Sequence, residues 1–273
     1  MDTIINYFNT IPSSHRGLIL VGGITLFWVL ENMFPFLKFQ YSKIHHASIN
    51  ISFTVTSIVV NFFLAFLLLS VSKFTTDYKF GLLHVLPKIN FWVFTLIGLL
   101  LLDLIGAYLA YLTKHKVKFL WRFHLIHHTD TWVDTTSANR HHPGESVTRF
   151  IFTIFGVLLV GAPMWMVFLY QSLSVVFSQC NHANIILPQK IDIFLSYFIV
   201  SPDMHKIHHH YQLPYTDSNY GNIFSVWDRL FGTFINLNRN DLIYGLDTHL
   251  EVNENNKIKK LLKIPFQKVR SPQ

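Results

Sequence analysis

Eleven of the sixteen histidines in this 273-residue chain lie between His115 and His210. Two copies of His-x-x-His-His organise them: His124, His127 and His128, then His205, His208 and His209. On a helix, positions i, i+3 and i+4 share one face, so each copy is expected to aim three imidazoles at one point. One such triplet is a weak signal. Two of them, with further histidines between, point to a centre holding more than one metal ion. Neutral imidazole is the commonest protein metal ligand, and it suits iron, zinc, copper and nickel. Three more candidates join them. His115 stands nine residues before the first triplet, His142 lies in Asn139-Arg-His-His-Pro-Gly-Glu145, and His182 lies in Asn181-His-Ala-Asn184. Asn181 is expected to hold a ligand imidazole by a hydrogen bond, a common device behind metal ligands. His210 reads as support for the second triplet or as solvent-facing, and His45 and His46 read as bystanders. The single Cys180 excludes an intrachain disulfide and a thiolate cluster, and reads as a small buried apolar residue.

The elements that must carry these side chains belong to a membrane protein. Hydrophobic residues make up 51% of the chain and charged residues 14%, against about 25% charged in a soluble domain. A helix needs about 20 mainly apolar residues to cross the hydrocarbon core. Residues 17–37, 52–72 and 89–113 meet that need. Residues 149–179 carry one positive charge at their start and are interrupted by Gly156, Gly161 and Pro163. Glycine and proline punctuate helices, so this stretch reads as a hairpin of two helices. The expected fold is all-α: three spanning helices, a helical hairpin and a histidine-rich helical cap. Three regions follow: transmembrane helices over 1–113, a histidine region over 114–236 that includes the hairpin, and a basic tail over 237–273. The N-terminus lacks the pattern of a cleaved signal peptide, since Asp2 precedes any positive charge and no small-x-small site follows the first apolar run.

The net charge is +7, and the positives flank apolar runs. Anionic lipid headgroups are therefore a better partner than nucleic acid, which is disfavoured. Lys114, Lys116, Lys118, Arg122, Arg140 and Arg149 lie in the segment 114–149 that leads into the hairpin, and six more positives lie between Lys257 and Arg270. The positive-inside rule puts both segments, and the histidines between them, on the cytoplasmic face. Asp103 falls inside the third apolar run. Charges in a membrane are costly, which makes it a functional candidate; helix-end polarity near the interface is the alternative. Asp228 and Asn219 read as supporting residues.

At these residues the chain resembles the fatty acid hydroxylase superfamily, also called the sterol desaturase family. Leu120-Trp-Arg-Phe-His-Leu-Ile-His-His128 resembles its second histidine box and Ser201-Pro-Asp-Met-His-Lys-Ile-His-His209 its third. Arg140-His-His-Pro143 and Asn181-His-Ala-Asn184 match its auxiliary stretches, and Asn219-Tyr-Gly221 with Trp227-Asp-Arg-Leu-Phe-Gly-Thr233 resembles its closing signature. The similarity covers about residues 100–235. One position departs: the first box should read His-x-x-x-His, and here Tyr111 precedes His115. Tyr111 as a phenolate ligand, a water in its place, substitution by His141, and a weakened metal site all remain open. The resemblance implies a membrane-bound non-haem di-iron oxygenase that hydroxylates or desaturates a lipid with O₂, acting on a hydrophobic chain or ring that arrives from the bilayer. It implies His115, His124, His127, His128, His142, His182, His205, His208 and His209 as ligands to two irons. A separate electron-transfer protein would supply electrons, since no flavin, haem or iron–sulfur motif is present. The alternative is a catalytically impaired or zinc-binding lipid-binding protein.

Overall fold

Charge-free stretches become long helices in the computed structural model, which describes residues 2–271. A short helix, α1 (Asp2–Asn9), precedes α2 (Ser13–Met33) and the 35-residue α3 (Lys43–Asp77). The third apolar run is α4 (Phe91–Asp103), which passes through one π-helical turn at Leu104–Tyr108 into α5 (Leu109–Lys116). α6 (Lys118–His128) follows directly. The hairpin consists of α7 (Pro143–Val160) and α8 (Met164–His182). α9 (Gln189–Leu195), α10 (Pro202–His208) and α11 (Val226–Leu230) form the cap with the loops between them. Among the described residues there are isolated bridges but no β-strand, so the all-α expectation holds.

Four helical segments are long and apolar enough to cross a membrane: Ser13–Met33, Lys43–Val85, Phe91–Lys116 and Pro143–Val160. The first arm of the hairpin is therefore longer than the sequence suggested. Pro143 starts it, because proline lacks the N–H that a first helical turn leaves unpaired. Arg149, counted above as a charge beside the membrane, thus lies within a helix long and apolar enough to cross one. Gly161 ends α7 in the left-handed region at φ 72°. A Cβ there would come within 2.4 Å of the Phe80 carbonyl oxygen, so glycine alone permits this turn.

α3 packs along α7, and α2 along α8. Leu68 of α3, Leu99 and Leu102 of α4, Phe150, Val157 and Val160 of α7, and Trp165 and Met166 of α8 form a shared core. The opposite side of α3 leaves Phe62, Phe63 and Phe66 exposed, which suits contact with lipid tails. The basic tail is not a loose extension. Leu261 and Ile264 are buried against Leu125 and Ile126 of α6 and Phe53 of α3; the apolar positions between its lysines give it a face to bury.

Candidate metal centre

The histidines converge at one end of the bundle, where α5, α6, α8 and α10 meet. They form two groups of four: His115, His124, His128 and His208, and His127, His182, His205 and His209. This corrects the expectation that each triplet aims at one point. Within a triplet, successive side chains turn by about 100° per residue. Positions i and i+4 therefore lie about 40° apart, while i+3 diverges from i by about 60° to the other side. His124 and His128 serve one group and His127 the other. His205 and His209 serve the second group and His208 the first. α6 and α10 each contribute to both.

The ligand geometry suits metal ions. In the second group, His182 Nε2 lies 3.1 Å from the Nε2 atoms of His127, His205 and His209. In the first group, His124 and His128 Nε2 are 3.3 Å apart. Nitrogens bound to one ion at about 2.0–2.1 Å are about 2.9–3.4 Å from each other at right-angled or tetrahedral spacing. Hydrogen bonds between the rings do not explain the arrangement. His182 Nδ1 is 2.7 Å from the Ser178 carbonyl and donates to it, so its Nε2 is a bare acceptor that three other nitrogens approach. His208 Nδ1 likewise donates to the Ser218 carbonyl at 2.7 Å. His115 Nε2 and His208 Nε2 are buried without a partner. Such unpaired buried nitrogens are costly, and a cation at each group would satisfy them.

Burial, reinforced by Lys114, pulls the pKa of His124 down to about 4. Burial and the neighbouring His124 bring His208 to about 3. Burial also drives His127, His128, His205 and His209 well below the ordinary value. The rings are thus neutral near pH 7, the state in which imidazole binds metal.

Two carboxylates stand behind the clustered imidazoles. Glu145 Oε1 is 2.7 Å from His124 Nδ1 and accepts from Lys114 Nζ at 2.8 Å. Its Oε2 lies 3.1 Å from His141 Nδ1, off the line of a hydrogen bond. Asp217 Oδ1 lies 3.7 Å from His115 Nδ1, and Asp217 also holds Lys116 and the Tyr220 hydroxyl. Glu145 had one signal in the sequence, its i+4 spacing from His141. Asp217 had none, because only the folded loop brings it to His115.

Other sequence candidates take different places. His142 is not with the metal groups. Its Nδ1 accepts from the Gly144 N–H at 3.0 Å and caps α7, while its ring packs on Phe123. Its neighbour His141 turns inward instead and stacks on His127, with ring centroids 4.6 Å apart. The Pro143 that starts α7 fixes His142 as the cap and so selects which of the pair faces in. Asn181 does not hold an imidazole either; its amide donates to the Asn222 carbonyl at 2.9 Å. His182, His208 and His124 lean on backbone carbonyls and Glu145 in its stead.

Tyr111 is buried edge-on to His124 and His208, with Lys114 Nζ 3.8 Å from its ring centroid. Asp103 touches no histidine of the two groups. It accepts from the Tyr170 hydroxyl at 3.2 Å and from the Ile223 and Phe224 N–H groups at 3.3 and 3.1 Å, so it ties the cap loop to α8. Asp228 fixes the same loop from the other side, accepting from the N–H groups of Tyr220 and Gly221 at 2.7 and 2.8 Å. His210 is buried and accepts from Ile243 N–H.

His46, expected to be a bystander, is a buried anchor. It bridges Asp130 at 2.9 Å and Asp134 at 3.1 Å, pinning the loop after α6 to α3. Burial alone would raise the Asp130 carboxyl, but His46 and then Arg140 outweigh it and hold it well below the usual range. Glu31 is a second missed anchor. It accepts from the N–H groups of Thr135 and Asn184 and pairs with Lys43 at 2.8 Å.

A cavity of about 500 Å³ enters the bundle between α2, α3, α7 and α8 and reaches Tyr111 and His141. Ligand pockets run from about 300 to 1,000 Å³.

Helices able to cross a membrane, gathering eight imidazoles at one end, set the chain among helical membrane proteins built around a histidine core. A family model described as fatty acid hydroxylase matches residues 95–233, which is 139 of the 273 residues; the chain belongs to that family. It is similar to an ornithine lipid hydroxylase of Rhizobium tropici, 27% identical over 132 residues, which are 48% of this chain and 39% of that protein. It is also similar to an alkylglycerol monooxygenase of Caenorhabditis elegans, 28% identical over 145 residues, covering 52% of this chain and 27% of the relative. A cholesterol 25-hydroxylase-like protein of Danio rerio is 28% identical over 142 residues, 52% of this chain and 55% of that one. The chain thus spans 27–55% of the length of these relatives. No solved structure matches.

Proposed function

We propose that the protein is a membrane-bound oxygenase that uses two iron ions and O₂ to oxidise a C–H bond of a lipid. The observation that carries this reading is the pair of four-imidazole groups side by side, with buried nitrogens that nothing else satisfies. Iron, when bound, supplies the redox chemistry that an unactivated C–H bond requires. His115, His124, His128 and His208 would hold one ion, and His127, His182, His205 and His209 the other. Ser178, Ser218 and Glu145 fix the tautomers of His182, His208 and His124, so that each presents Nε2 inward. The names of the relatives, hydroxylases and monooxygenases, favour hydroxylation over desaturation.

The cavity leads from the lipid-facing helices to Tyr111 and His141, a path for a hydrophobic substrate. Tyr111 closes its inner end. Both groups reach four imidazoles without a ligand at position 111, which supports a working centre over an impaired one. The electrons would come from a separate donor protein on the cytoplasmic side, where the basic segments favour the histidine end of the bundle.

Elemental analysis of protein extracted in detergent from iron-replete cells tests this reading. About two irons per chain, with lipid-dependent oxygen uptake once a chemical reductant is supplied, are expected. Zinc alone on isolation would require iron reconstitution first, since zinc competes for imidazole sites. A reconstituted protein that takes up no iron, or takes it up and consumes no oxygen with any lipid extract, would overturn the proposal.

A further inference from the structure

Arg149 is a cation within a helix long and apolar enough to cross a membrane, without a carboxylate to balance it. It lies one helical turn beyond Glu145 on the same face of α7, about 6 Å along the axis. Glu145 is occupied by Lys114, His124 and His141. Among the described residues no Asp or Glu oxygen comes within 4.0 Å of the Arg149 guanidinium, and its side chain donates no hydrogen bond. Asp103, the other carboxylate in this part of the bundle, is taken by Tyr170 and the backbone of Ile223 and Phe224. Charged side chains at membrane depth are expensive and pair with one another or serve a ligand path. Arg149 lines the cavity that reaches His141, and Thr54, Ser57, Asn61, Gln171 and Ser174 line it as well. That is more polar surface than a passage for bare hydrocarbon requires.

We infer that the cavity binds an amphiphile with an anionic head, carboxylate or phosphate, and that Arg149 is the residue that recognises it. A guanidinium presents a planar fork of donors that matches either oxyanion, and the hydroxyl and amide side chains around it can take the remaining oxygens. Side chains on a helix lean toward its N-terminus, which for Arg149 is the histidine end. A head held there leaves the first few carbons of the attached chain beside His141 and Tyr111. The inference rests on the oxygenase reading for the fate of the lipid, but not for its binding.

The test therefore uses the 273-residue chain with the metal it carries on isolation, in neutral detergent, without O₂ or reductant, and measures binding rather than turnover. Hexadecyl phosphate and palmitate are compared with hexadecanol, and inorganic phosphate is added as a competitor. Charge-assisted contacts to a guanidinium predict that the wild type prefers both anionic amphiphiles over the alcohol by about tenfold or more. Arg149→Gln should reduce that preference to within about twofold without weakening hexadecanol, and Arg149→Lys should retain part of it. Inorganic phosphate should not compete at concentrations where the amphiphiles saturate. Three results would overturn the inference: no preference in the wild type, a preference that survives Arg149→Gln, or inorganic phosphate competing as well as hexadecyl phosphate, which would make this an anion site and not a lipid site. Arg16 also lines the cavity, over Phe168 near the start of α8, so Arg16→Gln is the second variant: it should leave the anion preference intact, and loss of the preference there would overturn the assignment to Arg149 even if Arg149→Gln fails to fold. Because no turnover is measured, a failed oxygenase assay leaves each of these outcomes readable.

Discussion

Replacing His182 with alanine is expected to take one of two irons out of the protein and to lower lipid oxidation by more than about 100-fold. His182 is the hub of the second group, with its Nε2 3.1 Å from three other ligand nitrogens. Losing only an outer partner of a metal ligand commonly costs about 10–100-fold in metal affinity or activity, and losing the ligand itself costs more. The first group shares none of its four residues with the second, so about one iron should remain. His142→Ala is the matched control. Its ring caps α7, so the change should cost about 1 kcal/mol of stability and leave the iron content as it was. Elemental analysis of both variants decides the matter. If His182→Ala keeps two irons and full turnover, the second group is not a metal site.

The second large effect concerns Glu145. Glu145→Ala should destabilise the fold by about 3–5 kcal/mol, the usual consequence of stranding one member of a buried ion pair. Lys114 and Glu145 are both almost fully buried and 2.8 Å apart, so Lys114 would lose its counter-charge out of reach of water. Iron affinity at the first group should fall as well, by about 10–100-fold, because His124 loses the carboxylate that orients it. The two effects separate in the double variant Glu145→Ala with Lys114→Met. Removing the stranded cation should recover most of the lost stability, while His124 remains unsupported and the affinity remains low. Thermal unfolding and iron titration of the three proteins measure the two effects independently. A single variant that melts with the wild type would show that the pair contributes nothing.

These expectations depend on contacts that the sequence displays unevenly. Six of the eight histidines of the two groups stand out from spacing alone, since residue type and helical period both mark them; His115 and His182 stand singly and are marked by their placement and by the family resemblance. Their division between the groups does not, because that depends on which helix faces α6 and α10. The choice between His141 and His142 turns on where α7 begins, and helix boundaries are weakly encoded next to a proline. Arg149 looked like a charge beside the membrane for the same reason: α7 starts six residues before it. Asp217, Glu31 and His46 act through partners far away in the chain, so no local pattern announces them. Asn181 carried a reasonable local signal, but the fold uses its amide on a backbone carbonyl.

The divided triplets have a consequence for size selection. α6 carries imidazoles of both groups, and so does α10 with His209 at its end, the members of one group standing one or three positions from those of the other. If each group holds an ion, the distance between the two ions would be gauged twice, by the pitch of two separate helices. An α-helix scarcely stretches at that scale. Such a centre would work as a caliper: ions that fit its jaws would be accepted as a pair.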